Sequence, residues 1–159
     1  MKVRLNVNGE RVEVEVRPDE MLLDVLRREL GLMSVRYTCG VGVCGACTAL
    51  VGGEPISTCI MLAPLAEGKE ITTVEGLGGD HPVQKAFVEV EAFQCGYCTP
   101  GMILTAKSLL EEDPEPTQEK IRNYMGGNLC RCGCYAKIED AVHLAASASK
   151  AAAPVKGGA

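Results

Sequence analysis

The stretch that decides the fold is Cys39-Gly-Val-Gly-Val-Cys44-Gly-Ala-Cys47, in the first half of a 159-residue chain. A further cysteine, Cys59, follows after eleven intervening residues. Cys-x4-Cys-x2-Cys with a more distant fourth cysteine is the spacing with which four thiolates hold a [2Fe–2S] cluster. The glycines in the stretch let the backbone wrap closely and turn its N–H groups towards the sulfurs. The stretch therefore predicts an iron–sulfur loop that uses Cys39, Cys44, Cys47 and Cys59.

A second set of four cysteines lies in the other half of the chain, as Cys95-x2-Cys98 and, after thirty-one residues, Cys130-x-Cys132. Four thiolates brought together bind a metal ion or an iron–sulfur cluster, and this spacing alone is less specific than the first. Zinc is the alternative for either set, although the four-residue gap of the first set is unusual for zinc. A thioredoxin-like function of Cys95-x2-Cys98 is disfavoured because no βαβ unit surrounds it.

Composition excludes some classes of function. The formal net charge of −5 disfavours a nucleic-acid binder, which needs a basic face. The sequence has neither a signal-peptide-like N-terminus nor an apolar run long enough to span a bilayer, which predicts a cytoplasmic protein without membrane insertion. In a reducing cytosol, clustered cysteines indicate metal sites or catalysis rather than disulfides.

Residues 1–77 are predicted to form a β-grasp domain. Val3, Leu5 and Val7 alternate with polar residues and are followed by Asn8-Gly9, which is typical of a hairpin turn. Apolar residues at helical spacing then predict a helix over residues 22–30, with Gly31 in the position of a C-terminal cap. Further strands are predicted at 48–51, 56–62 and 70–74, so that Cys59 reaches its loop from a strand.

Residues 82–146 are predicted to form a small bundle of four helices. Pro82 suits a first helical position, and Thr99 and Thr117 are predicted to be the N-caps of the second and third helices. Residues 147–159, rich in Ala, Gly and Lys, are predicted to be a flexible tail. The fold class is therefore α+β, with a ferredoxin-like β-grasp domain followed by a four-helix domain.

Three motifs together resemble the iron–sulfur subunit of the molybdenum hydroxylases, a family that includes xanthine dehydrogenase, aerobic carbon monoxide dehydrogenase, aldehyde oxidoreductases and hydroxybenzoyl-CoA reductase. They are Cys39-Gly-Val-Gly-Val-Cys-Gly-Ala-Cys-Thr48, Gln94-Cys-Gly-Tyr-Cys-Thr-Pro-Gly-Met102 and Gly127-Asn-Leu-Cys-Arg-Cys132. The resemblance runs in order from about residue 2 to residue 146. Three long motifs at matching separations make it specific.

The resemblance implies two [2Fe–2S] clusters, the first cysteine set holding the cluster nearer a flavin and the second holding the cluster nearer the molybdenum cofactor. It implies that Gln94 contacts the pterin of that cofactor and that Cys132 lies against the pterin too. It also implies a large molybdenum-cofactor subunit and a medium FAD subunit as partners, in a dimer of heterotrimers. The chain would then be a non-catalytic subunit of an oxidoreductase. Its rivals are a free two-cluster electron carrier and a zinc-stabilised interaction module.

The chain departs from the family pattern after the third motif, where Gly133-Cys134-Tyr135 follows Cys132. We interpret Cys134 as a small buried thiol in a position for a small residue, and the alternative is a competing metal ligand. Motifs typical of different branches of the family occur together in this chain. The sequence therefore predicts no substrate.

Overall fold

The computed structural model describes residues 1–152. The first half of the chain forms one mixed sheet with the strand order β2-β1-β5-β3-β4. Its strands are β1 (Lys2–Val7), β2 (Glu10–Glu15), β3 (Thr48–Val51), β4 (Glu54–Ser57) and β5 (Glu70–Thr72). Only the central β1–β5 pair is parallel. This arrangement, with one helix packed on the sheet, is the predicted β-grasp fold.

The predicted hairpin joins β1 to β2 through Asn8 and Gly9, both with positive φ (54° and 83°), as a two-residue hairpin turn requires. The Asn8 side chain also fixes this turn to the end of β5. Its Nδ2 donates to Thr73 Oγ1 at 3.0 Å, and its Oδ1 accepts from the Thr73 N–H at 2.8 Å. The turn thereby sets the register of the hairpin against the last strand.

The helix on the sheet, α1, begins with an α-helical segment at Leu22–Asp24 and continues as a π-helix at Val25–Glu29. The wider π-turn shows in the bond from the Leu30 N–H to the Val25 carbonyl at 3.2 Å. Its buried leucines and valines pack on the inward side chains of β1 and β5. Gly31 ends it with a φ of 67°, in the predicted C-cap position.

The second half forms the predicted helices, namely α2 (Pro82–Glu89), α3 (Thr99–Glu112), α4 (Gln118–Met125) and α5 (Tyr135–Ala152). Their apolar faces surround a second core, in which Phe87, Leu109 and Ile121 are almost fully buried. Helix α3 also packs across β3 and β4, so the two halves share an interface. Within residues 1–152, none of the helices has the length and apolar character needed to cross a bilayer.

Three local predictions were wrong. The strand expected at 56–62 ends at Ser57, and Cys59 lies in a 3₁₀ turn at Thr58–Ile60. The Thr58 hydroxyl donates to the Cys47 carbonyl at 2.8 Å, so the chain turns towards the cysteine loop instead of staying in the sheet.

Helix α3 takes Cys98 rather than Thr99 as its N-cap, and the Thr99 hydroxyl is buried without a hydrogen-bond partner among the described residues. Thr117 caps α4 as predicted, with its side chain accepting from the Lys120 N–H at 3.2 Å. Helix α5 extends to Ala152, past the predicted end at 146. Residues 147–149 are exposed, and the extension is rich in alanine, which favours a helix without tertiary packing. The rest of the predicted tail, 153–159, lies outside the described residues.

Candidate metal centre

The first cysteine set lies at one end of the β-grasp sheet, between α1 and β3. Gly40, Gly42 and Gly45 all have positive φ, between 68° and 75°, which lets this loop coil tightly. Cys47 and Cys59 are buried, whereas Cys39 and Cys44 are partly exposed. The Cys44 thiol helps to lower the pKa of Cys39, and the Cys47 thiol helps to raise the pKa of Cys59, so each lies beside its partner. The structure therefore brings all four predicted residues together as two pairs.

Backbone N–H groups of the loop point at these sulfurs. The N–H groups of Val41, Cys44 and Val43 lower the pKa of Cys39 to about 6, and the Val41 N–H lies 3.5 Å from its Sγ. Burial raises the pKa of Cys59 to about 11, with the Cys47 thiol adding to the effect and the Gly42 N–H opposing it. The loop thus has the character of an anion-binding nest before any metal is added.

The second set is assembled from two separate loops. Cys95 and Cys98 precede α3, while Cys130 and Cys132 lie between α4 and α5. The Cys132 thiol helps to lower the pKa of Cys95, and the Cys130 thiol helps to raise the pKa of Cys98, so each lies beside its partner. The packing of four helices therefore again produces two pairs.

The thiol environments of this set resemble those of the first. The Tyr97 N–H and the neighbouring Cys132 thiol lower the pKa of the exposed Cys95. Burial and, to a smaller extent, the adjacent Cys130 thiol raise the pKa of Cys98 to about 12. Each set therefore combines a thiol whose pKa backbone N–H groups lower with a thiol whose pKa burial raises.

The pairwise arrangement bears on the kind of group the residues fit. Within residues 1–152, no three His, Cys, Asp or Glu side chains gather closely enough to hold a single metal ion. In each set the predicted ligands lie two by two, with Cys134 as a further neighbour of Cys130. A [2Fe–2S] cluster takes two thiolates on each of its two irons, so four cysteines in two pairs fit such a cluster.

The two cysteine sets meet across the interface between the halves. The Leu129 N–H, next to Cys130, donates to the Cys44 carbonyl at 2.9 Å. On the outer side, the Tyr97 hydroxyl donates to the Tyr37 carbonyl at 2.6 Å, and the Arg36 guanidinium lies 5.4 Å from the centre of the Tyr97 ring. The loops that carry the two sets are thus bonded directly to each other.

Gln94 is exposed beside the exposed Cys95, at the surface edge of the second set. Cys134 is buried, with its N–H 3.4 Å from Cys130 Sγ. Burial and the Cys130 thiol raise the pKa of Cys134, which favours its neutral thiol form. This placement agrees with the interpretation of Cys134 as a small buried thiol beside the site.

The Asn128 Nδ2 also joins the two loops, by donating to the Gly45 carbonyl at 3.0 Å. Sequence reasoning identified neither Asn128 nor Tyr97 as a residue with this role. Both lie inside the quoted motifs, each within two residues of a predicted ligand. A short motif cannot indicate which of its polar side chains reaches across a domain interface. Which side chain reaches across depends on how α3 packs against the sheet.

Comparison with known proteins assigns each half to a family of iron–sulfur domains. Residues 5–74 match the 2Fe-2S iron-sulfur cluster binding domain, and residues 73–143 match the [2Fe-2S] binding domain. The chain is 50% identical to the nicotinate dehydrogenase small FeS subunit of Eubacterium barkeri, over 90% of this chain and 93% of the relative.

Solved structures show the same architecture. Quinoline 2-oxidoreductase from Pseudomonas putida contains a chain with a TM-score of 0.90 and 41% identity, covering 96% of this chain and 97% of the other. Aldehyde oxidoreductase from Desulfovibrio desulfuricans matches with a TM-score of 0.91 and 41% identity, over 98% of this chain but only 18% of its own. The same fold therefore occurs both as a separate chain and as part of a longer one.

Proposed function

The chain belongs to the small iron–sulfur subunits of the molybdenum hydroxylase family, and on that premise we propose that it relays electrons inside a larger oxidoreductase complex. The donor is a large molybdenum-cofactor subunit, and the acceptor is a medium FAD subunit. When bound, the two [2Fe–2S] clusters supply one-electron exchange. Substrate oxidation takes place on the large subunit, so this chain is a non-catalytic component.

The eight paired cysteines are the residues that hold the clusters. Cys39, Cys44, Cys47 and Cys59 would hold the first cluster, and Cys95, Cys98, Cys130 and Cys132 would hold the second. The mutual influence of the thiols of Cys39 and Cys44, Cys47 and Cys59, Cys95 and Cys132, and Cys98 and Cys130 supports these two sets.

Backbone N–H groups stabilise the negative charge of the bound sulfur atoms. Those of Val41 and Val43 face Cys39 in the first loop, and that of Cys134 faces Cys130 in the second. Hydrogen bonds to cluster sulfurs are one of the means by which a protein sets the reduction potential. The chain therefore supplies both the ligands and part of the control of potential.

Two surface regions are proposed to face the partner subunits, one the electron donor and the other the acceptor. Gln94 and Cys95 are exposed at the outer edge of the second set, where we propose that the pterin of the molybdenum-cofactor subunit makes contact. Val41 and Val43, 66% and 62% exposed, lie between Cys39 and Cys44 on the surface of the first loop, where we propose that the FAD subunit docks. The complex is proposed to be a dimer of such heterotrimers.

The observation that carries this proposal is that eight cysteines form two sets of four, one in each of two domains that match [2Fe-2S]-binding families. The test is the metal content of the chain purified from its native source. We expect about four iron atoms and four acid-labile sulfides per chain, and two distinct EPR signals after reduction. A chain that contains zinc but no iron, and that shows no visible absorption, would contradict the proposal that it binds two [2Fe–2S] clusters.

The same preparation tests the partners. We expect the chain to elute with two larger chains, together with molybdenum and FAD, and native mass spectrometry to give two copies of each subunit. Elution as a single small protein that carries both clusters would contradict the subunit assignment and identify a free carrier.

A further inference from the structure

One buried side chain joins the two halves of the molecule. Asn128 is 6% exposed and lies where the first cysteine loop, the start of α3 and the Cys130 loop meet. Its Nδ2 donates to the Gly45 carbonyl at 3.0 Å and, over a longer 3.4 Å, to Thr48 Oγ1. Its Oδ1 accepts from the Thr105 hydroxyl at 2.9 Å. One amide thus bonds the β-grasp half and the helical half at once.

The backbone around this amide has no spare room. A Cβ at Gly45 would lie 2.5 Å from the Gly127 carbonyl oxygen, and a Cβ at Gly101 would lie 2.4 Å from the Gly45 carbonyl oxygen. Both of these oxygens belong to the backbone and cannot move like the end of a flexible side chain. A methyl group added at either glycine would therefore force the two segments apart. Two glycines therefore permit the close approach that Asn128 holds.

Each of these contacts is next to a proposed cluster ligand. Gly45 follows Cys44, Asn128 is two residues before Cys130, and Gly101 is three residues after Cys98. A movement of one loop relative to the other at this point would change the separation of the two cysteine sets. Electron exchange between redox centres slows steeply as their separation grows.

We propose that Asn128 is a positioning residue that fixes the separation and relative orientation of the two clusters. The inference rests on the proposed function, because it presupposes that both sets hold clusters. Asn128 does not ligate either cluster. It acts through the Gly45 carbonyl and the Thr105 hydroxyl, which belong to segments that carry ligands of different clusters.

The test uses the full chain with both clusters, reduced so that both are paramagnetic. The magnetic coupling of the two spins splits their EPR signals, and this splitting depends on distance and orientation. We expect Asn128→Ala to keep the wild-type iron and sulfide content but to narrow or lose the splitting. Asn123→Ala, at an exposed asparagine on α4, is the matched control and should keep the wild-type splitting.

A second pair of variants moves the segments without touching the amide. Gly101→Ala places a methyl against the Gly45 carbonyl, and its helical position accepts alanine readily. We expect it to narrow the splitting as well. Gly127→Ala adds a methyl where no atom lies within 4 Å, and should leave the splitting unchanged.

A conservative series addresses the other hydrogen bond. Thr105→Val removes the hydroxyl that bonds Asn128 Oδ1 but keeps the shape of the side chain, whereas Thr105→Ser keeps the hydroxyl. We expect the valine variant to change the splitting and the serine variant to restore it. A merely structural role would lower the melting temperature of the valine variant without altering the splitting.

The outcomes separate the two proposals. A wild-type chain without two cluster signals would overturn the proposed function, and with it this inference. Wild-type splitting in Asn128→Ala, with both clusters present, would overturn the inference alone. If Asn128→Ala fails to bind clusters, an unchanged splitting in Gly101→Ala overturns the inference and a narrowed one supports it.

Discussion

The first cysteine set takes three of its four residues from one nine-residue loop, whereas the second takes two from before α3 and two from before α5. The first loop is shaped locally, by positive-φ glycines that aim backbone N–H groups at Cys39. The second depends on helix packing, since Cys98, Cys130 and Cys132 all contact the helical core. The same pairwise arrangement of thiols is therefore reached once by backbone conformation and once by tertiary contacts.

The difference predicts how each site fails. A local loop should be sensitive to changes of its own glycines, and a site assembled from distant segments should be sensitive to the interface that aligns them. Gly45 combines both kinds of sensitivity. It belongs to the first loop, and it also contacts the Asn128 amide of the second loop.

Gly45→Ala is expected to have the largest effect. Its φ of 68° is strained for any side chain, and its new methyl would overlap the Gly127 carbonyl and the Asn128 amide. We expect loss of the first cluster and a fall of more than about 2 kcal/mol in the free energy of unfolding. Iron analysis and chemical denaturation measure both quantities.

Gly52→Ala provides the control, because Gly52 has a similar φ of 64° but open space around the added methyl. We expect Gly52→Ala to lower the free energy of unfolding by about 1 kcal/mol, which is the backbone strain alone, and to keep both clusters. If the two variants lost the same free energy of unfolding and the same amount of iron, the contact of Gly45 with the second loop would contribute nothing to stability or to cluster binding.

Substitution of single ligands should separate the two sites. We expect Cys44→Ser to abolish the first EPR signal and Cys98→Ser to abolish the second, each leaving about half of the iron. Cys98→Ser should also lower the melting temperature more, because Cys98 packs against the helical core while Cys44 lies on the partly exposed loop. Loss of both signals from either variant would contradict two independent ligand sets.

The pH dependence of thiol reactivity should distinguish the members of the first set in metal-free protein. The pKa of Cys39 is lowered to about 6 and that of Cys59 is raised to about 11. Because the thiolate is the nucleophile, alkylation of Cys39 should rise as the pH passes through about 6 and then level off. Alkylation of Cys59 should keep rising above pH 9 or so.

Mass spectrometry of the alkylated peptides, in the full chain at a series of pH values, measures both rates. Equal rates for the two residues throughout the series would show that backbone N–H groups do not prepare the loop for a bound anion.

The smallest effect is expected for the ninth cysteine. Cys134→Ser keeps a small polar side chain beside Cys130, and the Cys134 N–H that faces Cys130 Sγ belongs to the backbone and is retained. We therefore expect both EPR signals and the full iron content to persist. Disappearance of the second signal would identify Cys134 as a ligand.

Several elements could be predicted from short stretches of sequence. The Asn8-Gly9 hairpin, the Gly31 helix end and the Thr117 cap all depend on backbone preferences within a few residues, and the structure contains each of them. The strand predicted at 56–62 was wrong because a tertiary contact overrides local preference. The Thr58–Cys47 hydrogen bond turns the chain out of the sheet, whereas Cys98 is the N-cap of α3 without a side-chain hydrogen bond.

By itself, the sequence determined the two groups of cysteines, the β-grasp and helical halves, and the family to which the chain belongs. The groups of cysteines and the two halves follow from spacing and periodicity, which act over a few turns or strands, and the family follows from the resemblance of three motifs. Only the tertiary structure decided which thiols form pairs and how the two loops meet at Asn128. The pairing of Cys98 with Cys130 depends on how α3 packs against α4 and α5, and the meeting of the two loops depends on how α3 packs on β3 and β4. Both depend on the shapes of surfaces that lie far apart in the sequence.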